Sequence, residues 1–381
     1  MSSARIAIEG LKLTAELHGG RREIPALWLR ERAVDEASRD PTTTQRLFNP
    51  HLLPDDLALV EVREECHGSE PALWLAFSDG YAGRFPLAWL LAELESDDGL
   101  PAEKPWNAGL QPLPYFDWAG LADERAFFAC LEAYLTYGFA VLRGTPTGKT
   151  SIEEIAARFG YIRDTNFGRL FEVTARPLSN DLAYRAIALG PHTDNPYREP
   201  VPGIQLLHCL VNETTGGLST LVDSLAVCEA LREEEREGYA LLGSVPVRFH
   251  WIDKDAAEFV SDRPVLRVDS LGRLTGLTYS PKLDFVPLLS ESDTRAYQRA
   301  RKRLAELLVD RRYELRFRLQ PGELMMFDNN RVLHGRTGYD PGEGMRHLMG
   351  CYIDRDGPRS HYLVLRRRFQ AAAARAPRAA E

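Results

Sequence analysis

The chain has no uninterrupted apolar run of about 18 residues and no apolar core in its opening MSSARIAIEG, so neither a membrane span nor a secretion signal is expected. Cysteine is sparse: Cys66, Cys130, Cys209, Cys228 and Cys351 are scattered, and none forms the CxxC pair of a zinc site or redox dithiol. They read as reduced thiols, mostly buried, in a cytoplasmic protein. Basic runs are also missing. With a formal net charge of −8 and no stripe of Lys and Arg to follow a phosphate backbone, nucleic acid is excluded as a partner. No Gly-rich phosphate loop and no internal repeat occurs, which removes nucleotide-binding and solenoid readings.

What remains is the composition of an ordinary globular protein, 44% hydrophobic and 27% charged. Residues 1–95 carry short alternating segments, Leu11 to Leu17, Leu57 to Val62 and Ala72 to Phe77, separated by Gly, Pro and Asp, and predict a small β-rich domain. The Pro-, Gly- and acid-rich stretch 96–116 reads as a linker. The main domain is expected over 117–370, and the Ala- and Arg-rich end, 371–381, as a disordered tail. Within the main domain, helices are predicted at Asp123 to Thr136, from Ser151 to a stop at Gly160 with a Ser151/Glu154 capping box, at Leu225 to Leu242, and at Ser292 to Asp310. Strands are predicted at Gly203 to Val211, Thr220 to Asp223, Leu315 to Leu319, Glu323 to Phe327 and His347 to Ile353. Many short strands with helices inserted or packed outside favour an α+β, mainly β jelly roll over a parallel sheet.

Chemistry concentrates in three places. GPHTDNPY sets His192 and Asp194 two residues apart, which on extended backbone turns both side chains to one face. VLHGR offers His334 as a third ligand. Two histidines and one carboxylate on one face of an octahedral ion leave three positions open, the arrangement a non-haem Fe(II) centre needs for a chelating oxo-acid and O2. An HxD pair alone is equally what chance supplies among nine histidines and 55 acidic residues; its placement relative to the third motif raises its weight. Twelve residues after His334, Arg346 heads the strand RHLMGCYI, where alternation puts Arg346, Leu348, Gly350 and Tyr352 on one face. A buried Arg there calls for an anion, with a carboxylate its best bidentate match, or else closes a structural salt bridge.

Taken together, HTDNPY, PGIQLLHCL followed by TTGGLSTLVD, PGELMMFDNNRVLHGR and RHLMGCY resemble the γ-butyrobetaine and trimethyllysine hydroxylases, within the wider taurine-dioxygenase-like and clavaminate-synthase-like oxygenases. The resemblance runs over most of the chain and implies a distorted double-stranded β-helix with flanking helices. It implies a dioxygenase using Fe(II), 2-oxoglutarate and O2, with His192, Asp194 and His334 as iron ligands, Arg346 as the oxo-acid anchor and a homodimer as the assembly. Ser219 matches a hydroxyl that bonds the oxo-acid carboxylate, or else satisfies the Gly216-Gly217 turn. Asn329, Asn330 and Arg331 are expected to support the ligands rather than join them. LWLRER at Leu27 to Arg32 matches the start of the family's small zinc domain, but AVDEAS lacks the cysteines and Tyr81 stands where the histidine falls, so a metal-free fold is expected.

The resemblance also maps an aromatic cage for a trimethylammonium group onto Phe167, Phe171, Tyr184 and Tyr352, each ring offering about 0.5–2 kcal/mol to a cation. Core packing is the competing reading of the two Phe. At the pocket's other end, amides that bind a substrate carboxylate are replaced by Asp181 and Ser280-Pro281, which favours a substrate carrying an amine or hydroxyl there. Three functions are thereby expected in order: hydroxylation of a small cationic molecule; the same chemistry on an amino acid, phosphonate or natural-product intermediate; and a non-catalytic metal-binding or sensor role.

Overall fold

The structure, a computed structural model, describes residues 5–17, 20–67, 70–95, 98–174, 186–253, 256–269 and 272–375. It divides into two units, Met1–Gly99 and Leu100–Glu381. The smaller is built on two three-stranded antiparallel sheets, Arg5–Glu9, Lys12–Leu17, Gly20–Glu23 and Leu59–His67, Glu70–Phe77, Ala82–Pro86. The alternation read in the sequence is what folds them: Leu13 and Ala15 on one strand and Leu73, Leu75 and Phe77 on another turn into a shared apolar core with Leu29 and Phe85. Beside that core, the Tyr81 hydroxyl donates to Asp35, and the Arg30 guanidinium lies 3.8 Å over the Tyr81 ring while its Nε donates to Asp79.

In the larger unit a seven-stranded sheet runs in the order Phe171–Thr174, Arg346–Ile353, Ile204–Asn212, Leu324–Asp328, Phe139–Arg143, Tyr115–Asp117, with Ile162–Arg163 paired beside Arg346–Ile353. Every pairing is antiparallel except that of Tyr115–Asp117. A second, four-stranded antiparallel sheet is ordered Leu189–His192, Val332–Arg336, Ser219–Asp223, Glu314–Phe317. Side chains from both sheets interdigitate in one core, among them Val141, Cys209, Met325 and Leu348 from the first and Leu221, Leu315 and Val332 from the second. The mainly β, two-sheet expectation is met. The first sheet's other face is covered by helices Glu124–Tyr137, Ser151–Phe159 and Asp356–Arg375.

Several boundaries differ from the sequence reading for local reasons. Residues 100–116 do not behave as a linker: Trp106 is buried, its Nε1 donates to the Tyr137 carbonyl (2.7 Å) and its backbone N–H to Asp223 (3.0 Å). The Ser151/Glu154 capping box is not formed, because Thr150 already has helical dihedrals and Ser151 falls inside the first turn. The expected helix Leu225 to Leu242 is two, Ser224–Glu234 and Arg236–Ser244, broken at Glu235 (φ −135°, ψ 57°). The break lays Gly238 against Ala296 and Ala300 of Glu291–Leu308, where no Cβ would fit. At the other end, the last helix extends through the Ala-rich stretch to Arg375.

Candidate active site

The second sheet makes the site by register. Antiparallel pairing of Leu189–His192 with Val332–Arg336 sets His192 directly opposite His334, and their ring centroids are 4.3 Å apart. Asp194 lies just past the strand end, where Asn329 holds its backbone on both sides. Its N–H donates to Asn329 Oδ1 (2.7 Å), and Asn329 Nδ2 donates to the Asp194 and Pro202 carbonyls (3.0 Å each). The chain then turns through Asn195 at φ 51°, a left-handed conformation that Asn tolerates better than most residues. As a result His192 Nε2 is 3.3 Å from Asp194 Oδ1 and His334 Nε2 is 3.7 Å from Asp194 Oδ2. One donor atom from each of the three residues lies within 4.8 Å of the others, the only such grouping among the described residues.

Protonation suits a cation. The His192 Nδ1–H donates to the Gly190 carbonyl (3.0 Å), which orients the ring with Nε2 toward Asp194. Burial drives the His334 imidazole down to about 3, so it is neutral at neutral pH. Burial works against the charge on Asp194, but the neighbouring His334 and His192 and a bond from Tyr352 outweigh it and hold the carboxyl well below the usual range. Two imidazoles and an ionised carboxylate converging on one point form a donor set that fits a divalent ion.

These residues open onto a cavity also lined by Phe167, Phe171, Ser219, Arg346 and Tyr352. Arg346 is 6% exposed. Gly217, at φ 64°, makes room for it, since a Cβ there would come within 2.8 Å of Arg346 Nε. That Nε has no hydrogen-bond partner, and no carboxylate of a described residue is within ion-pair distance of the guanidinium. Burial and the nearby Arg336 pull its pKa down to about 10. A buried cation left in this state is matched by an anion entering the cavity, and a dicarboxylate has the right chemistry to fill it.

The alternation read along RHLMGCYI holds: Arg346, Leu348 and Tyr352 face the cavity, while Met349, Cys351 and Ile353 pack toward the helices. Phe171 sits opposite Gly350 in the sheet, and any side chain at 350 would run into its ring. With that space, Phe171 and Tyr352 stand 5.2 Å apart between centroids. Asp181 and Tyr184 lie outside the described residues. Ser280 is buried away from the cavity lining, contrary to its expected place at the substrate's far end. Among residues not singled out in advance, Asn195, Gln205 and Arg336 also line the cavity. Gln205 was visible as the one polar residue on the cavity-facing alternation of Ile204–Asn212, and its Oε1 is buried with no partner. Asn195 and Arg336, hidden inside the HTDNPY and VLHGR motifs, gave no signal apart from their ligand neighbours.

Residues 99–352 match the family described as "Taurine catabolism dioxygenase TauD, TfdA family". A γ-butyrobetaine dioxygenase of Pseudomonas sp. (strain AK-1) is 35% identical over 349 residues, covering 90% of each chain. A trimethyllysine dioxygenase of Meyerozyma guilliermondii is 27% identical, covering 92% of this chain and 93% of that one. Human γ-butyrobetaine dioxygenase is 28% identical over 78% of this chain and 80% of its own.

Proposed function

The chain belongs to the TauD/TfdA dioxygenase family, with the γ-butyrobetaine and trimethyllysine dioxygenases among its relatives, and we propose that it hydroxylates a small cationic substrate carrying a quaternary ammonium or amine group. It is a dioxygenase that uses Fe(II), 2-oxoglutarate and O2. In this reading His192, Asp194 and His334 hold the iron, Arg346 pairs with the far carboxylate of the oxo-acid, and the Ser219 hydroxyl donates to that carboxylate. With iron and oxo-acid bound, decarboxylation of 2-oxoglutarate to succinate and CO2 is coupled to oxidation of a substrate C–H bond. The chain's own task is positional. Phe167, Phe171 and Tyr352 present aromatic surface to the substrate cation, and the sheet holds that wall beside the triad, where a displacement of about 1 Å can cost on the order of 100-fold in rate.

The observation that carries this reading is that three aromatic rings, an ionisable triad and an unpaired buried arginine meet in one cavity. We also read the two sheets as the distorted double-stranded β-helix of the family, the first 99 residues as its small domain kept without zinc, and the working form as a cytoplasmic homodimer. A panel of betaines, amines and amino acids, incubated with Fe(II), 2-oxoglutarate and O2 and followed by succinate release and product mass, tests the substrate class. Quaternary ammonium compounds are expected to stimulate turnover, with KM raised by Phe171→Leu. Stimulation confined to substrates without a cationic group would overturn the proposal.

A further inference from the structure

Tyr352 maps onto the aromatic wall, yet its hydroxyl is committed elsewhere: it donates to Asp194 Oδ2 at 2.6 Å. The residue is 3% exposed, and toward a carboxylate oxygen the phenol O–H is the group that donates. A bond this short to a carboxylate is charge-assisted and strong. Its partner matters because the two oxygens of Asp194 are not equivalent here. Oδ1 is 3.3 Å from His192 Nε2 and carries no other bond among the described residues, whereas Oδ2, 3.7 Å from His334 Nε2, also carries the phenol hydrogen bond.

The count of positions around an octahedral ion gives this contact a role. Two imidazoles and one carboxylate oxygen occupy three positions, a chelating oxo-acid takes two, and one remains for O2. A carboxylate bound through both oxygens would fill that last position. We propose that Tyr352 is a positioning residue for Asp194: its hydroxyl lowers the donor strength of Oδ2 and turns Oδ1 toward the metal, so that the ligand binds through one oxygen only. Because the same ring stands 5.2 Å from Phe171 in the cavity wall, Tyr352 joins the substrate-facing surface to the ligand set. This inference rests on the assignment of the triad as an iron site.

The test compares wild type, Tyr352→Phe and Phe171→Leu under anaerobic conditions, measuring Fe(II) affinity in the presence of 2-oxoglutarate and the visible metal-to-ligand absorption band. Tyr352→Phe keeps the ring and removes only the hydroxyl. Loss of an outer-sphere bond to a metal ligand typically costs about 10–100-fold in metal affinity, and a loss in that range with a shifted band is expected. In a separate aerobic turnover assay Phe171→Leu should raise substrate KM, while its anaerobic Fe(II) affinity and band stay unchanged. Should Tyr352→Phe not fold, as judged by circular dichroism, 3-fluorotyrosine at position 352 keeps ring and hydroxyl and, as a stronger donor, should move the band the opposite way from loss of the hydroxyl; an unmoved band overturns the inference. If Tyr352→Phe binds Fe(II) as wild type does, with the same band and only KM altered, Tyr352 is a wall residue and the inference falls. Absence of the band in wild type would overturn both the inference and the iron-site assignment beneath it.

Discussion

At the scale of single residues, the cavity's charge balance makes the sharpest demands. Arg346 is buried without a carboxylate partner, and in the proposed site its hold on the oxo-acid would rest on a planar, bidentate donor fork. Arg346→Lys keeps the charge but not the fork. Loss of a charge-assisted hydrogen bond of roughly 1.5–3 kcal/mol predicts about 10–100-fold weaker 2-oxoglutarate binding, measurable by calorimetry with Fe(II) present. A second residue, His208, sets an acid limit away from the ligands. Its Nε2 is 2.9 Å from Thr145 Oγ1, and because that hydroxyl donates to the Gly322 carbonyl, His208 Nε2–H must be the donor between them. Nδ1 then lies buried with no partner, and burial drives the pKa down to about 4. The unfolded chain takes up this proton near 6.5 and the folded one near 4, so the unfolded state binds more protons in between and stability falls as pH drops through that window. The loss is at most roughly 3 kcal/mol, and His208→Asn should flatten the pH dependence of the urea midpoint between pH 6.5 and 4. An unchanged slope would assign the acid sensitivity to other groups.

At the scale of elements, the site depends on how the strand ends are anchored. Asp223, at the end of Ser219–Asp223, is fully buried; burial pushes its carboxyl up, and the Arg331 guanidinium offsets this only in part. Arg331 donates to both Asp223 oxygens (3.0 and 3.1 Å) and to the Thr136 and Lys104 carbonyls (2.9 and 2.7 Å), just ahead of the strand that bears His334. Arg331→Met leaves the carboxylate buried and unpaired, with an expected cost of about 3–5 kcal/mol in urea unfolding. Adding Asp223→Asn should recover a good part of that loss; no recovery would show that packing of the guanidinium, rather than charge pairing, carries the effect. Element type was legible wherever period and capping agreed, as in Glu124–Tyr137, where Asp123 accepts from Arg125 and Ala126 and Gly138 turns left-handed at φ 77°. Legibility failed where tertiary contact decides. Nothing local announces the break at Glu235, where Gly238 closely approaches Ala300, and the Pro- and Gly-rich composition of residues 100–116 conceals the docking of Trp106, with Leu110 and Leu113 packed against the same core.

At the scale of the whole molecule, the grouping of His192, Asp194 and His334 with Arg346 was legible because three short motifs carry the four residues and strand alternation fixes which side chains share a face. Their mutual distances were not, since those follow from the pairing of His192 with His334 and from the Asn329 clamp, both long-range. Likewise the Tyr352 hydroxyl was invisible as a partner of Asp194, because the two residues are 158 positions apart. Fe(II) and 2-oxoglutarate binding only the folded state should stabilise it by about 2.7 kcal/mol at a hundredfold excess over the dissociation constant. Hydrogen exchange is expected to slow in Leu189–His192, Val332–Arg336 and Arg346–Ile353, and a chelator should reverse the effect. The central claim, that His192, Asp194, His334 and Arg346 form one iron and oxo-acid site, is tested most directly by anaerobic titration of the protein with Fe(II) and 2-oxoglutarate while the visible charge-transfer band is followed. The account predicts a band in wild type that disappears in His192→Ala and weakens in Arg346→Ala. A well-folded wild type with no band, or a band indifferent to both substitutions, would contradict it.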